Sequence, residues 1–238
     1  MITRLPRWAE CGAFLLAFIA GYINVVGLLG FDHQSISHLS GTASQLASSI
    51  SEAQPHGWHL LGVLLSFLVG AVISGAVLGS SALQPGKPYE LLLLLEGGLL
   101  LLSICLLQQQ SGWGHFSASM ACGLQNALAT TFSGAIIRTT HVTGIVTDLG
   151  IMLGHWFRSG QLDKRKTRLF VLILAGFISG GILATRLFDH WQFNALLVPA
   201  SLCLLAALAY RFSLKKPFKK TDQETANQEG PSKERPSR

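Results

Sequence analysis

Four stretches of this chain run about as long as a helix needs to cross a bilayer core, roughly 17 to 25 residues, without one Asp, Glu, Lys or Arg. They are Cys11 to Phe31, Leu60 to Leu83, Phe116 to Ile137 and Trp191 to Tyr210. Two more come close: Leu91 to Gln108 contains only Glu96, and Leu169 to Thr185 is bracketed by Arg168 and Arg186. Charged residues make up 13% of the 238, against about 25% in an ordinary soluble domain. The sequence therefore predicts an all-α, polytopic membrane helix bundle. The transmembrane domain takes in residues 1–212 and a basic, disordered cytoplasmic tail residues 213–238, where Pro231 and Pro236 interrupt a polar stretch too poor in apolar residues to fold.

The net charge of +6 does not point to nucleic acid, because the basic residues gather at the chain ends and in one loop. Arg158, Lys164, Arg165, Lys166 and Arg168 form that loop cluster, and Arg211, Lys215, Lys216, Lys219 and Lys220 repeat it in the tail. With six spans, all of these fall on one side, and the opposite loops lack Lys and Arg. Retention of positive charge in the cytoplasm then puts both termini inside a bacterial inner membrane, with the lipid surface as a partner of the basic clusters. The first apolar segment follows Arg4 and Arg7 like a signal peptide, but its length makes it a retained helix. Cys11, Cys105, Cys122 and Cys203 lie in separate apolar segments, in neither disulfide-framework nor CxxC spacing.

The halves of the chain repeat one another. Ser37-His38-Leu39-Ser40-Gly41 corresponds to Thr140-His141-Val142-Thr143-Gly144, Gly21-Tyr22-Ile23-Asn24 to Gly123-Leu124-Gln125-Asn126, and Ile73-Ser74-Gly75 to Ile178-Ser179-Gly180. The repeat halves are about 9–108 and 113–211. Three spans per half make the second half enter from the opposite side, an inverted repeat of the kind common in secondary transporters. A count of eight would make the repeat parallel, but it needs the short, hydroxyl-rich stretch Leu39 to Ile50 to span. Six spanning helices plus two short half-helices is the preferred count.

The stretch from Gly123 to Ala127, followed by Arg138-Thr139-Thr140-His141-Val142-Thr143-Gly144-Ile145-Val146-Thr147-Asp148-Leu149-Gly150, resembles the signature of the YoaK-like family of bacterial transmembrane proteins. The likeness extends from about Gly12 to Tyr210. In the first half Asn24 stands where an Asp is common, and Ser40-Gly41-Thr42 where Thr-Gly-Asn is common. The resemblance implies a multi-pass cytoplasmic-membrane protein and no particular substrate.

Site residues follow from the repeat. At the entry of each short helix, Ser40, Thr42 and Thr143 can cap backbone N–H groups, and Gly41 and Gly144 allow close approach. Two such N-termini near the midplane favour an anion or a polar group; the alternative is capping and packing alone. His38, His141, Asn24 and Asn126 would line the site. Asp148, with Thr147 beside it and His141 two turns away, is the expected titratable group, partnered by His141 or Arg138; the alternative is an interfacial, solvated or paired Asp. Glu96 beside Gly97 and Gly98 is a further cavity candidate, and Gln125 a buried amide. The other histidines, His33, His56, His59, His115, His155 and His190, are expected to stay apart, so no metal and no cofactor is assigned. The glycines Gly70, Gly75, Gly176 and Gly180 read as helix packing within the chain. Walker A, GxSxG and HExxH patterns do not occur.

The reading is a small permease, not an enzyme, that binds a small polar or anionic solute at the repeat interface. A non-transporting scaffold, for which a second copy of the chain is a candidate partner, is the alternative, and a lipid-acting enzyme ranks third.

Overall fold

In hydrocarbon every backbone N–H and C=O must be paired within the chain, which leaves helices as the economical solution for apolar segments of this length. The computed structural model describes residues 7–30, 38–79, 88–133 and 138–214, and among them there is no strand. In chain order the helices are α1 (Arg7–Gly30), α2 (Leu39–Ser51), α3 (Gly57–Leu78), α4 (Tyr89–Gln108), α5 (Trp113–Ser133), α6 (Val142–Ser159), α7 (Lys164–Trp191) and α8 (Leu197–Leu214). A 3-10 turn, Gln192–Leu196, joins the last two. His33, Lys87 and the tail from 215 onward lie outside the described residues.

Four segments are long and apolar enough to cross a membrane: Glu10–Gly30, Gly57–Leu78, Tyr89–Gln108 and Lys164–Phe212, the last containing both α7 and α8. Helix α5 is as long, but Ser117, Ser119, Gln125, Asn126, Thr130 and Thr131 make it more polar. It is also the helix against which α3 and α4 pack, so its polar groups face protein. Ser119 donates from Oγ to the Val63 carbonyl at 2.8 Å, and Ser117 to the Leu99 carbonyl at 2.7 Å. Ser103 returns the favour from α4 to the Gly114 carbonyl at 2.8 Å. Hydrogen bonds of this kind between helices in lipid contribute about 0.6 to 2 kcal/mol each.

The chief pairings are α1 with α7, α3 with α5, and α4 with both α5 and α8. Their contacts fix direction. Along α1 and α7, Phe14 meets Gly176 and Phe18 meets Gly180, so the two run parallel. Along α3 and α5, His59 meets His115, Val63 meets Ser119 and Phe67 meets Gly123, so these are parallel too. Helix α4 runs against α8, with Tyr89 on Tyr210 and Gln108 on Asn194, and against α5, with Tyr89 on Phe132 and Ser103 on Gly114. Ala13 and Ala17 at the start of α1 share a cluster with Ala129 near the end of α5, so α1 and α5 are antiparallel.

The two parallel crossings are built alike. Gly21 of α1 lies against the Phe177 carbonyl, and Gly123 of α5 lies against the Phe67 carbonyl. Reciprocally, Gly180 lies against the Phe18 carbonyl and Gly70 against the Met120 carbonyl. A methyl group at any of the four would overlap backbone. The sequence correspondence of α3 with α7 is thereby corrected: the counterpart of Phe177 and Gly180 is Phe67 and Gly70, whereas Gly75 faces open space. Gly176 and Gly180 do pack within the chain, on α1.

Helix α7 corrects a second boundary. It runs from Lys164 to Trp191, well past Leu169 to Thr185, because Asp163 caps its start by accepting from the N–H groups of Arg165 and Lys166 and the expected turn at Phe188 to His190 is still helical. Gly160, at φ 68°, ends α6 in the left-handed conformation that suits glycine. At the same end of the bundle Glu10, nearly buried, pairs with Arg168 at 3.3 Å and Arg165 at 3.9 Å, tying the starts of α1 and α7 together.

Candidate functional site

The N-caps of the two short helices are His38 for α2 and His141 for α6, with similar backbone angles and no side-chain cap in either. Ser and Thr were expected to cap; the structure instead puts an imidazole at each entry. Thr147 donates to the Thr143 carbonyl at 2.9 Å and Ser44 to the Ser40 carbonyl at 3.0 Å, so these hydroxyls bond back along their own helix. The opening N–H groups of each helix have no carbonyl one turn earlier to receive them.

Depth is set by α7. Gly30, the end of α1, lies against Phe188 and Phe193. The ring of His38 stacks edge-on against Phe177, centroids 5.7 Å apart, which is eleven positions earlier on α7 and so about 16 Å back along that helix. Gly21, near the middle of α1, contacts the same Phe177. The chain thus leaves α1 and returns to the middle of the bundle before α2 begins. His141 lies near enough to act on His38: burial first, and then the charge of His141, hold His38 below the ordinary imidazole range. Two entries that sequence placed at opposite ends of the chain are neighbours in space.

Around them, Thr42 and Thr139 are buried, and Thr140 nearly so. The Thr139 hydroxyl has no hydrogen-bond partner. The ring of His141 folds over Gly144, so a methyl at that position would collide with it, whereas Gly41 faces open space. Asn24 and Gln125 are buried within α1 and α5. Both amide atoms of Gln125 and the Oδ1 of Asn126 lack partners. Ser40, Thr143, Thr147 and Arg138 are exposed.

Asp148 departs from expectation. Its side chain is 47% exposed and its ionic partner is Lys166, at 3.9 Å, rather than His141 or Arg138. Helix α6 is amphipathic and touches α7 only lightly, so the residue sits at the margin of the bundle. The carboxyl group that is fully buried is Glu96.

The histidines also correct the sequence reading. Nδ1 of His115 and Nε2 of His59 share a hydrogen bond at 2.8 Å, and the His56 ring stacks on His59 at 5.8 Å. No sequence signal could pair residues on α3 and α5 before the parallel crossing was known. Still, among the described residues no group of three His, Cys, Asp or Glu is arranged to hold a metal. Two open surface hollows, of about 590 Å³ beside Ile151, His155 and Arg158 and about 680 Å³ beside His190, Gln192 and Asn194, lie away from the paired entries and carry no comparable chemistry.

No curated protein and no solved structure matches the chain. A family described as a protein of unknown function matches residues 12–209, from α1 into α8.

Proposed function

This chain belongs to the DUF1275 family over residues 12–209, and since that membership brings no activity with it, we propose on geometry alone that the protein is a small permease. Its solute is a small anion or polar molecule, bound between the entries of α2 and α6. The observation that carries the reading is the meeting of His38 and His141 beside Phe177. Each histidine opens a helix whose first N–H groups and positive dipole end point back at the shared space. With His38 held neutral at pH 7, its ring offers one N–H donor and one acceptor nitrogen and no fixed charge, so the attraction for an anion comes mainly from the two helix ends.

The direction of each helix supports six spans in an inverted three-plus-three repeat. Helix α1 opposes α5, α3 opposes α7 and α4 opposes α8, as an in-plane two-fold axis requires, and the twin glycine crossings of α1 on α7 and α5 on α3 obey the same relation. Arg158, Lys164, Arg165, Lys166, Arg168 and Arg211 then collect at one end, and retention of positive charge makes that end cytoplasmic in a bacterial inner membrane.

The scaffold reading draws on one observation: Val146, Ile151, Leu153, Trp156 and Phe157 of α6 are exposed, a face that lipid or a second copy could cover. Thermal unfolding of purified protein in detergent separates the two. A panel of small anions and amino acids should contain one that raises the midpoint with concentration, as linkage demands, by the equivalent of about 2.7 kcal/mol at a hundredfold excess over Kd. The gain should vanish in His38→Ala and His141→Ala and persist in Asp148→Asn. Equal gains in both histidine variants would remove the assigned site, and a flat response throughout would favour the scaffold.

A further inference from the structure

Glu96 lies in the seam where α4 packs on α5 and α8, with no exposed surface. Neither carboxyl oxygen has a hydrogen-bond partner. The titratable groups facing it are the thiol of Cys203 on α8, close enough to donate weakly but short of full hydrogen-bond geometry, and the thiol of Cys122 on α5. The 3-10 turn Gln192–Leu196, also against α4, brings no titratable side chain. Helices α4 and α5 contain no Lys or Arg, and α8 has only Arg211, in its last turn. On α5, one turn beyond Cys122, the amide of Gln125 is likewise buried with both polar atoms unpartnered.

A carboxylate is stable in such surroundings only with a cation beside it, and the chain supplies none. The companion is then a proton or a metal ion. A hard cation asks for six or more oxygen ligands, and the backbone carbonyls in mid-helix are already bonded within α4, α5 and α8. Two carboxyl oxygens and two thiols do not meet that demand.

We propose that Glu96 is the proton-binding site of this protein, loaded from water on one side of the membrane and unloaded to the other as the α4–α8 seam opens beside it. Loading forms one O–H bond on the carboxylate as hydronium becomes water, and unloading reverses it. The seam is tight in the present state: a methyl on Gly97 would stand 3.0 Å from the Leu204 Cδ2 and 3.3 Å from the Ala200 carbonyl. The inference rests on the permease reading, for which it names the coupling ion and moves that role from Asp148 to Glu96.

The test uses the full chain in liposomes and the apolar reagent dicyclohexylcarbodiimide, which adds across its N=C=N group the O–H of a protonated carboxyl. The adduct is located by peptide mass spectrometry. Labelling of Glu96 is expected at about pH 7, where ordinary carboxyls are ionised and inert, with a fall of about fivefold or more by about pH 9.5. Asp148 should remain unlabelled. No adduct at Glu96 at about pH 6 to 7 would overturn the proposal. Undiminished labelling at high pH would overturn it as well, since the proton would then be locked in place. Protection by sodium at constant ionic strength would do the same by assigning the site to a metal ion. Labelling and solute-dependent stabilisation are separate readouts, so this site and the His38–His141 site can fail independently.

Discussion

Gly21, Gly70, Gly123 and Gly180 each face a backbone carbonyl of the neighbouring helix, whereas Gly75 and Gly98 face open space. Substituting Ala at the first four forces two helices apart, and a loss of about 1 to 3 kcal/mol per site is expected from overpacking. At Gly75 or Gly98 the same change should be neutral or stabilising by up to about 1 kcal/mol through helix propensity. Thermal midpoints in one detergent check both halves of the statement. His38 supplies a pH prediction. Its proton affinity is lowered by folding, so the unfolded chain binds the proton more readily. Its contribution to stability is intact above the unfolded value of about 6.5 and is lost as pH falls below it, toward the lower folded value. The midpoint of wild type should therefore drop between about pH 7 and pH 5, and that of His38→Gln should drop less. Sequence repetition was enough to single out His38 and His141. It could not say that His, rather than Ser or Thr, would occupy the caps, because capping depends on backbone angles that composition does not fix.

At the scale of the elements, α6 shows where pattern reading stops. Its length and its Asp148 were legible, but an isolated amphipathic helix has two equally good ways to lie, and only the light packing on α7 shows that Asp148 turns toward Lys166. Because that pair is half exposed, Asp148→Asn should change stability by less than about 1 kcal/mol. Glu10 is the opposite case. It was passed over as one carboxylate at the head of an apolar run, yet it is buried between Arg165 and Arg168. Glu10→Gln leaves two arginines without their partner, and a loss of about 1 to 3 kcal/mol is expected, read as a lower midpoint that further salt does not reproduce in wild type. The start of α7 was misjudged for a related reason: Lys164, Arg165, Lys166 and Arg168 look like the end of a membrane segment by composition, and it is the Asp163 cap that lets them form a helix.

For the molecule as a whole, apolar windows and the halving of the sequence carried most of the architecture, since both are one-dimensional signals. Which helix packs on which was not legible: α1 chooses α7 and α3 chooses α5 through small residues and carbonyls far apart in sequence. The buried polar seam around Glu96 depends on those choices and could not be foreseen beyond the carboxyl itself. The account turns on one geometric claim, that two segments reaching the bundle from opposite ends meet at its middle. Cysteines placed at His38 and His141 test it, with the exposed Cys11 and Cys105 changed to Ser and the buried Cys122 and Cys203 left in place. Mild oxidation or a short bifunctional thiol reagent should join positions 38 and 141 within a single chain in the native membrane, in high yield. Failure to cross-link, with each cysteine alone reactive only from its own side of the membrane, would contradict the shared site and the function built on it.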